Sequence, residues 1–141
     1  MIYLDHNATT PLDPLVFEAM VPIMRDLFGN PASRSHQFGL DANRVVDASR
    51  EKVSELLNCE PSELFFTSGA TEAINFGIKG FCQKFHHHNK HIVTIGIEHK
   101  AVLDTCESLQ RYGIGTYLAK VAHDGIVDLE ELKTMIQPDT I

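Results

Sequence analysis

Apolar residues recur at three- and four-residue intervals in several stretches of the chain, the spacing of helices that bury one face. Residues 41–58 carry Ala42, Val45, Val46, Val53, Leu56 and Leu57 on such a pattern. The stretch after Thr71 is more regular, with Ile74, Gly77, Ile78, Phe81, Cys82 and Phe85. Residues 101–112 repeat it through Val102, Cys106 and Leu109, and Asp128 with Glu131 three residues on resembles a capping box that opens a short helix. Between these helices lie short apolar runs at residues 64–66, 91–97 (HIVTIGI) and 116–121 (TYLAKV), which read as strands. Strands alternating with helices build crossovers and a mostly parallel sheet flanked by helices, so the expected class is α/β. The first sixty residues differ, because Pro11, Pro14, Pro22 and Pro31 cut them into short pieces. We read residues 1–40 as an arm with helices and residues 41–141 as an α/β domain.

The run at residues 64–73, LFFTSGATEA, passes abruptly from apolar to small hydroxyl and glycine residues and then becomes helical. With a strand before it and a helix from Ala73, residues 67–71 form the turn at a helix N-terminus. The first amides of a helix have no intrahelical partner and the macrodipole adds positive potential, which makes such a turn an anion site. Gly69 and Ala70 admit close approach, and the hydroxyls of Thr67, Ser68 and Thr71 can add bonds to a phosphate. The alternative is that Thr67 or Ser68 merely caps the helix. The second strand runs into Glu98, His99 and Lys100. In a parallel sheet this puts a histidine and a carboxylate at the same carboxyl edge, where ligands of open α/β sheets bind. An imidazole beside a phosphate cradle suits a phosphorylated aromatic cofactor and can move protons near neutral pH. The alternative for His99 is a structural cap on the next helix.

Composition narrows the field. Twelve basic and nineteen acidic residues give a net charge of −7 with no basic stripe, which argues against nucleic acid as a partner. No apolar run approaches bilayer length, so no membrane span is expected. Cys59, Cys82 and Cys106 are widely spaced and lack a CxxC pair, which favours a reducing compartment over a disulfide framework. MIYLDHN starts on a strand-like segment with no charged-then-apolar leader, so a cytoplasmic location is expected. The HHHNKH run at residues 86–91 is read as a solvated helix-to-strand loop rather than a metal site, since structural metal ligands sit on spaced, rigid elements.

Five motifs then stand in order along the whole chain: YLDHNATTPLDP at 3–14, GNPASRSHQFG at 29–39, FFTSGATEA at 65–73, EHKAVLDTC at 98–106 and DGIVDLEEL at 124–132. Together they resemble the NifS/IscS-type cysteine desulfurases, members of the class V aminotransferase family with the fold-type I architecture that binds pyridoxal phosphate. The resemblance implies the N-terminal part of that fold's large domain and pyridoxal 5'-phosphate as cofactor. It implies that Ala70 and Thr71 hold the phosphate and that His99 stacks on the pyridine ring and shuttles protons. Asn7, Ala8 and Thr9, and Asn30 and His36, match positions near the mouth of the active site. Their alternatives are local: a polar turn before Pro11 for Asn7 and Thr9, and a turn ahead of Pro31 for Asn30. The implied reaction converts L-cysteine to L-alanine and a persulfide on an enzyme cysteine. The implied partners are sulfur acceptors of iron–sulfur cluster assembly and a second copy of the chain in a homodimer.

The resemblance departs in extent, which implies that the α/β domain of residues 41–141 is incomplete. The lysine to which the family attaches its cofactor, the aspartate that pairs with the pyridine nitrogen and the mobile-loop cysteine all fall beyond Ile141 in the family pattern. Lys100 follows a histidine as that lysine does, but it belongs to a different motif and opens a helix. Cys82 and Cys106 read as core. Cys59, in LLNCEPSE, is the most exposed by context and matches no persulfide motif. The 141 residues alone are therefore expected to be inactive, to bind the cofactor weakly or not at all, and to associate through an unfinished sheet. A short non-catalytic binding or regulatory module, and another class V activity such as an aminotransferase or selenocysteine lyase, are the alternative readings.

Overall fold

A computed structural model describes residues 2–85 and 90–141. Residues 86–89, most of the HHHNKH run, lie outside the described part. The chain divides between Phe65 and Phe66 into two compact units.

The first unit is helical. Helix α1, Pro14–Asp26, starts where Asp13 Oδ1 accepts the amides of Leu15 (2.8 Å) and Val16 (3.4 Å), and Pro14 takes the first helical position, where a missing N–H costs nothing. Helix α2, Gln37–Leu57, begins four residues before the apolar pattern because His36 provides its cap, Nδ1 accepting from the Gly39 amide at 3.2 Å. It ends on Asn58 in the left-handed conformation (φ 53°), with the Cys59 amide returning to the Ser54 carbonyl at 3.0 Å. The expected apolar face is only partly used. Ala42 is buried and Val45, Val46 and Val53 are half-buried, whereas Leu56 (84% exposed) and Leu57 remain on the surface.

The strand expected at residues 64–66 does not form. A 3-10 turn at Pro61–Glu63 delivers the chain to Leu64 in an extended conformation, but no described strand pairs with it. The Leu64 carbonyl instead accepts from the Arg50 guanidinium of α2, so side-chain bonding replaces a ladder partner.

The second unit holds the sheet. Helix α3, Ala70–Lys84, leads to β1, His91–Ile95, then α4, Lys100–Leu109, β2, Gly115–Ala119, and the short α5, Leu129–Met135. Strands β1 and β2 pair in parallel, His91 opposite Gly115 through Ile95 opposite Ala119, with α4 as the crossover. Both strands stop about two residues short of the expected runs: residues 96–97 turn toward α4, and Val121 forms an antiparallel bridge to Val127. On its other side His91 pairs in parallel with Thr140, its amide donating to the Asp139 carbonyl (3.4 Å) and its carbonyl accepting from Ile141 (2.9 Å). The imidazole is buried there, Nε2 lying 2.8 Å from Thr140 Oγ1 and 3.2 Å from the Met135 carbonyl, with Asp139 3.4 Å from Nδ1.

The core is formed by α4 and its neighbours. Ala101, Thr105, Cys106 and Leu109 form its buried strip, and Leu109 packs with Cys82 of α3 and Ile114. Asp128 caps α5 by accepting from the Glu130 and Glu131 amides, as expected. The reciprocal half of a capping box is absent, because the Glu131 carboxylate is engaged by Lys120 at the end of β2, through its amide (2.9 Å) and its ammonium (3.0 Å).

This packing separates the leucines and the thiols. Leu109→Ala, at 1% exposure, is expected to cost about 2–5 kcal/mol in denaturant unfolding, and Leu56→Ala less than about 0.5 kcal/mol; equal effects would contradict the packing. Cys82 and Cys106 are buried, and burial pushes both thiols up from their ordinary range, assisted by each other's proximity at Cys82 and by Glu98 at Cys106. Cys59 is half-buried. Brief iodoacetamide treatment under native conditions, read by peptide mass mapping, is expected to label Cys59 first.

Candidate active site

Helix α3 starts three residues earlier than its apolar pattern suggests. Gly69 is the N-cap and Ala70 and Thr71 are the first two helical residues; the first i to i−4 bond runs from the Ala73 amide to the Gly69 carbonyl at 3.1 Å. Helix geometry therefore leaves the amides of Ala70, Thr71 and Glu72 without an i−4 carbonyl, and they face the N-terminal end of a fifteen-residue helix. A Cβ built on Gly69 meets nothing within 4 Å, so the turn is open on that side.

Two of the hydroxyls considered for an anion are used inside the turn. Thr67 Oγ1 donates to the Gly69 carbonyl at 3.2 Å. Ser68 gives both its amide (2.6 Å) and its hydroxyl (2.7 Å) to the Glu72 carboxylate. These bonds hold the Glu72 carboxyl below its ordinary range, the backbone bond contributing most. Glu72 escaped the sequence reading, although an acidic residue in the first helical turn, four places after a serine, is a recognisable helix-start signal.

His99 is the N-cap of α4. Its Nδ1 accepts the Ala101 amide at 3.1 Å and its side chain is exposed. Because Nδ1 accepts, the neutral ring carries its proton on Nε2. Late in α3, Cys82 packs on Leu109 at the end of α4, while Ala73 and Ile74 share an apolar groove of about 430 Å³ with Val102 in the first turn of α4. The two helices therefore run in the same direction. Their N-termini, with Ala70 and Thr71 on one and His99 on the other, lie at one end of the unit, beyond the carboxyl end of β1. Lys100, the first residue of α4, is exposed and reaches along its own helix toward Asp104, 3.9 Å away.

The remaining candidates belong to the first unit. The Ala8 and Thr9 amides both close on the Asp5 carbonyl (3.1 and 3.3 Å), and Tyr3 Oη lies 2.5 Å from Thr9 Oγ1, so Asn7, Ala8 and Thr9 sit in a tight polar turn before Pro11. Asn30 Oδ1 accepts the Ala32 amide at 2.9 Å across Pro31. His36 caps α2, in the same manner as His99 caps α4. The glycines framing this motif have a steric reason that the sequence reading did not use: a Cβ on Gly29 would fall 2.2 Å from the Phe38 carbonyl oxygen, and one on Gly39 1.9 Å from that of Ser33.

The chain matches the aminotransferase class-V family over residues 2–141. It is 47% identical over 140 residues to the cysteine desulfurase IscS of Neisseria meningitidis serogroup C (strain 053442), and 49% identical over 142 residues to that of Shewanella loihica, covering 99% of this chain and 35% of each relative. Among solved structures, a NifS-like protein superposes with a TM-score of 0.88 at 42% identity, over 99% of this chain and 38% of that one. SspA in complex with cysteine superposes at 0.82 and 36% identity, over 99% of this chain and 40% of that one. The chain thus spans about a third of the length of the curated relatives it matches. With helices packed on a parallel sheet and a family match along its full length, the chain belongs to the class-V aminotransferase family.

Proposed function

We propose that these residues form the N-terminal part of a pyridoxal 5'-phosphate-dependent cysteine desulfurase, which takes the sulfur of L-cysteine, leaves L-alanine and passes the sulfur on as a protein persulfide. The observation that carries this reading is the shared end of α3 and α4, where the first amides of one helix and the imidazole that caps the other both lie. The relatives named as cysteine desulfurases support it.

The residues fit the cofactor in their donor chemistry. Amides at the start of a long helix suit a phosphate, and the opening beside Gly69 leaves room for one. Ala70 and Thr71 would hold it, and His99 would stack on the pyridine ring and hold or release a proton at Nε2. The cofactor, when bound, supplies a conjugated ring that accepts electron density from the α-carbon of the substrate. Asn7, Ala8, Thr9, Asn30 and His36 are assigned to the vicinity of the substrate. In this reading the protein is a cytoplasmic homodimer and its partners are sulfur acceptors, including iron–sulfur scaffold proteins. No described helix is long and apolar enough to cross a membrane.

The test is to recover the native product from its source cells with an antibody to this segment, weigh it, and assay it with L-cysteine. With a thiol reductant added to discharge the persulfide, a species well over twice this length that releases alanine and sulfide is expected; a product ending at Ile141 that does neither would overturn the proposal. In the active species His99→Ala is expected to lower kcat about a hundredfold or more. The 141-residue chain by itself is expected to bind pyridoxal 5'-phosphate weakly and without a new visible-region absorption band. A stoichiometric coloured complex would instead return Lys100 to consideration.

A further inference from the structure

We propose that Glu72 is a positioning residue for the phosphate turn, fixing the Thr67–Ser68 peptide and the Ser68 side chain so that the Ala70 and Thr71 amides stay turned toward the anion. The proposal rests on the reading of that turn as the phosphate site.

Glu72 sits at the third helical position, where a carboxylate is favoured by the helix dipole. It could have bonded to the amides of its own first turn. It bonds instead to the residue before the N-cap, accepting both the amide and the hydroxyl of Ser68 at 2.6 and 2.7 Å, the short distances of charge-assisted bonds. Two bonds from one carboxylate to one residue fix that residue's backbone orientation and not merely its position. The N-cap between them, Gly69, has no side chain with which to cap the helix, and among the described residues no side-chain cap bond is made there. The work usually done by a capping serine or aspartate is thus moved onto Glu72. A side chain at the N-cap would project into the opening beside Gly69 where a phosphate oxygen could sit, whereas the Glu72 clamp holds the turn from outside. The Glu72 carboxylate is engaged by Ser68 and not by the first-turn amides, so the Ala70 and Thr71 amides are left for an incoming anion.

The test is an NMR titration of the full-length native protein, freed of cofactor and selectively labelled at alanine and threonine, with pyridoxal 5'-phosphate and with pyridoxal, which lacks the phosphate. In the unaltered chain the Ala70 and Thr71 amides are expected to shift with the phosphorylated ligand only. Glu72→Ala is expected to weaken that ligand about fivefold, the scale of a lost helix cap, while leaving pyridoxal unchanged. Glu72→Gln keeps an acceptor for the Ser68 amide and sheds the charge, so it is expected to restore or exceed the original affinity; a purely electrostatic or purely structural role would not give that rescue together with that selectivity. If Glu72→Ala loses its dispersed spectrum, Ser68→Ala, which removes only the hydroxyl bond, decides: about twofold weaker binding supports the proposal, and unchanged binding overturns it. Unchanged affinity in a folded Glu72→Ala overturns the clamp while leaving the phosphate site standing. If the unaltered chain shows no shift at Ala70 and Thr71, or the same shift with both ligands, the phosphate reading fails and the clamp fails with it.

Discussion

The parallel register between β1 and β2 is the constraint from which the geometry of the second unit follows. Two parallel strands cannot be joined by a hairpin, so the chain must leave the carboxyl end of β1, cross a face of the sheet as α4 and re-enter at the start of β2. That requirement puts the N-terminus of α4, and therefore His99, beyond the carboxyl end of β1. It also needs a buried strip on α4, supplied by Ala101, Thr105, Cys106 and Leu109. Once α4 is seated, Cys82 of α3 packs on Leu109, α3 runs alongside, and its N-terminus arrives at the same end. The first amides of α3 and the His99 imidazole thus lie at the same end of the unit. Thr105 Oγ1 is buried in this strip without a hydrogen-bond partner among the described residues, a local cost borne inside the element on which the arrangement depends.

What the sequence made legible follows from the range of the forces involved. Helices α2 to α5 and both paired strands were readable because amphipathic spacing and short β-rich runs are local signals, as in Ile74 through Cys82 and HIVTI. The strand expected at Leu64 was not, because pairing is a non-local property: the same apolar residues are extended, but their carbonyl is taken by Arg50. The early starts of α2 and α3 were missed for a related reason. His36 as a cap and Gly69 as an N-cap without a side-chain bond lie outside the usual serine, threonine, aspartate and asparagine vocabulary. Leu56 and Leu57 fit the helical period yet stay exposed, since a period says which face is apolar and nothing about what covers it.

The candidate site divides in the same way. Ala70, Thr71 and His99 could be picked out because each sits at a boundary where a strand-like run gives way to a helix, and such boundaries are visible in one dimension. The hydroxyls of Thr67 and Ser68 looked equally available, and only the three-dimensional bonding shows them spent within the turn. Gly29 and Gly39 were visible only as letters of a motif. Their reason is a close backbone approach between residues far enough apart that no local rule predicts it.

The two capping histidines bear on how structural and functional readings of one residue relate. For His99, a helix cap and a ring stacked on a cofactor were set against each other as alternatives, yet the geometry makes them compatible. Accepting the Ala101 amide at Nδ1 fixes the ring on the N-terminal end of α4 and fixes its neutral tautomer, leaving the proton on Nε2. An imidazole meant to stack and to exchange a proton needs both conditions, and an uncapped histidine on an exposed turn would have to lose rotamer freedom each time a ligand arrived. The cap meets that ordering cost during folding, before any ligand is present. His36 repeats the device at the start of α2 with the Gly39 amide, at the point where a side chain on residue 39 would collide with Ser33. In both cases the bond that stabilises the helix also orients the ring, so capping a helix does not compete with the role proposed for a histidine at its start.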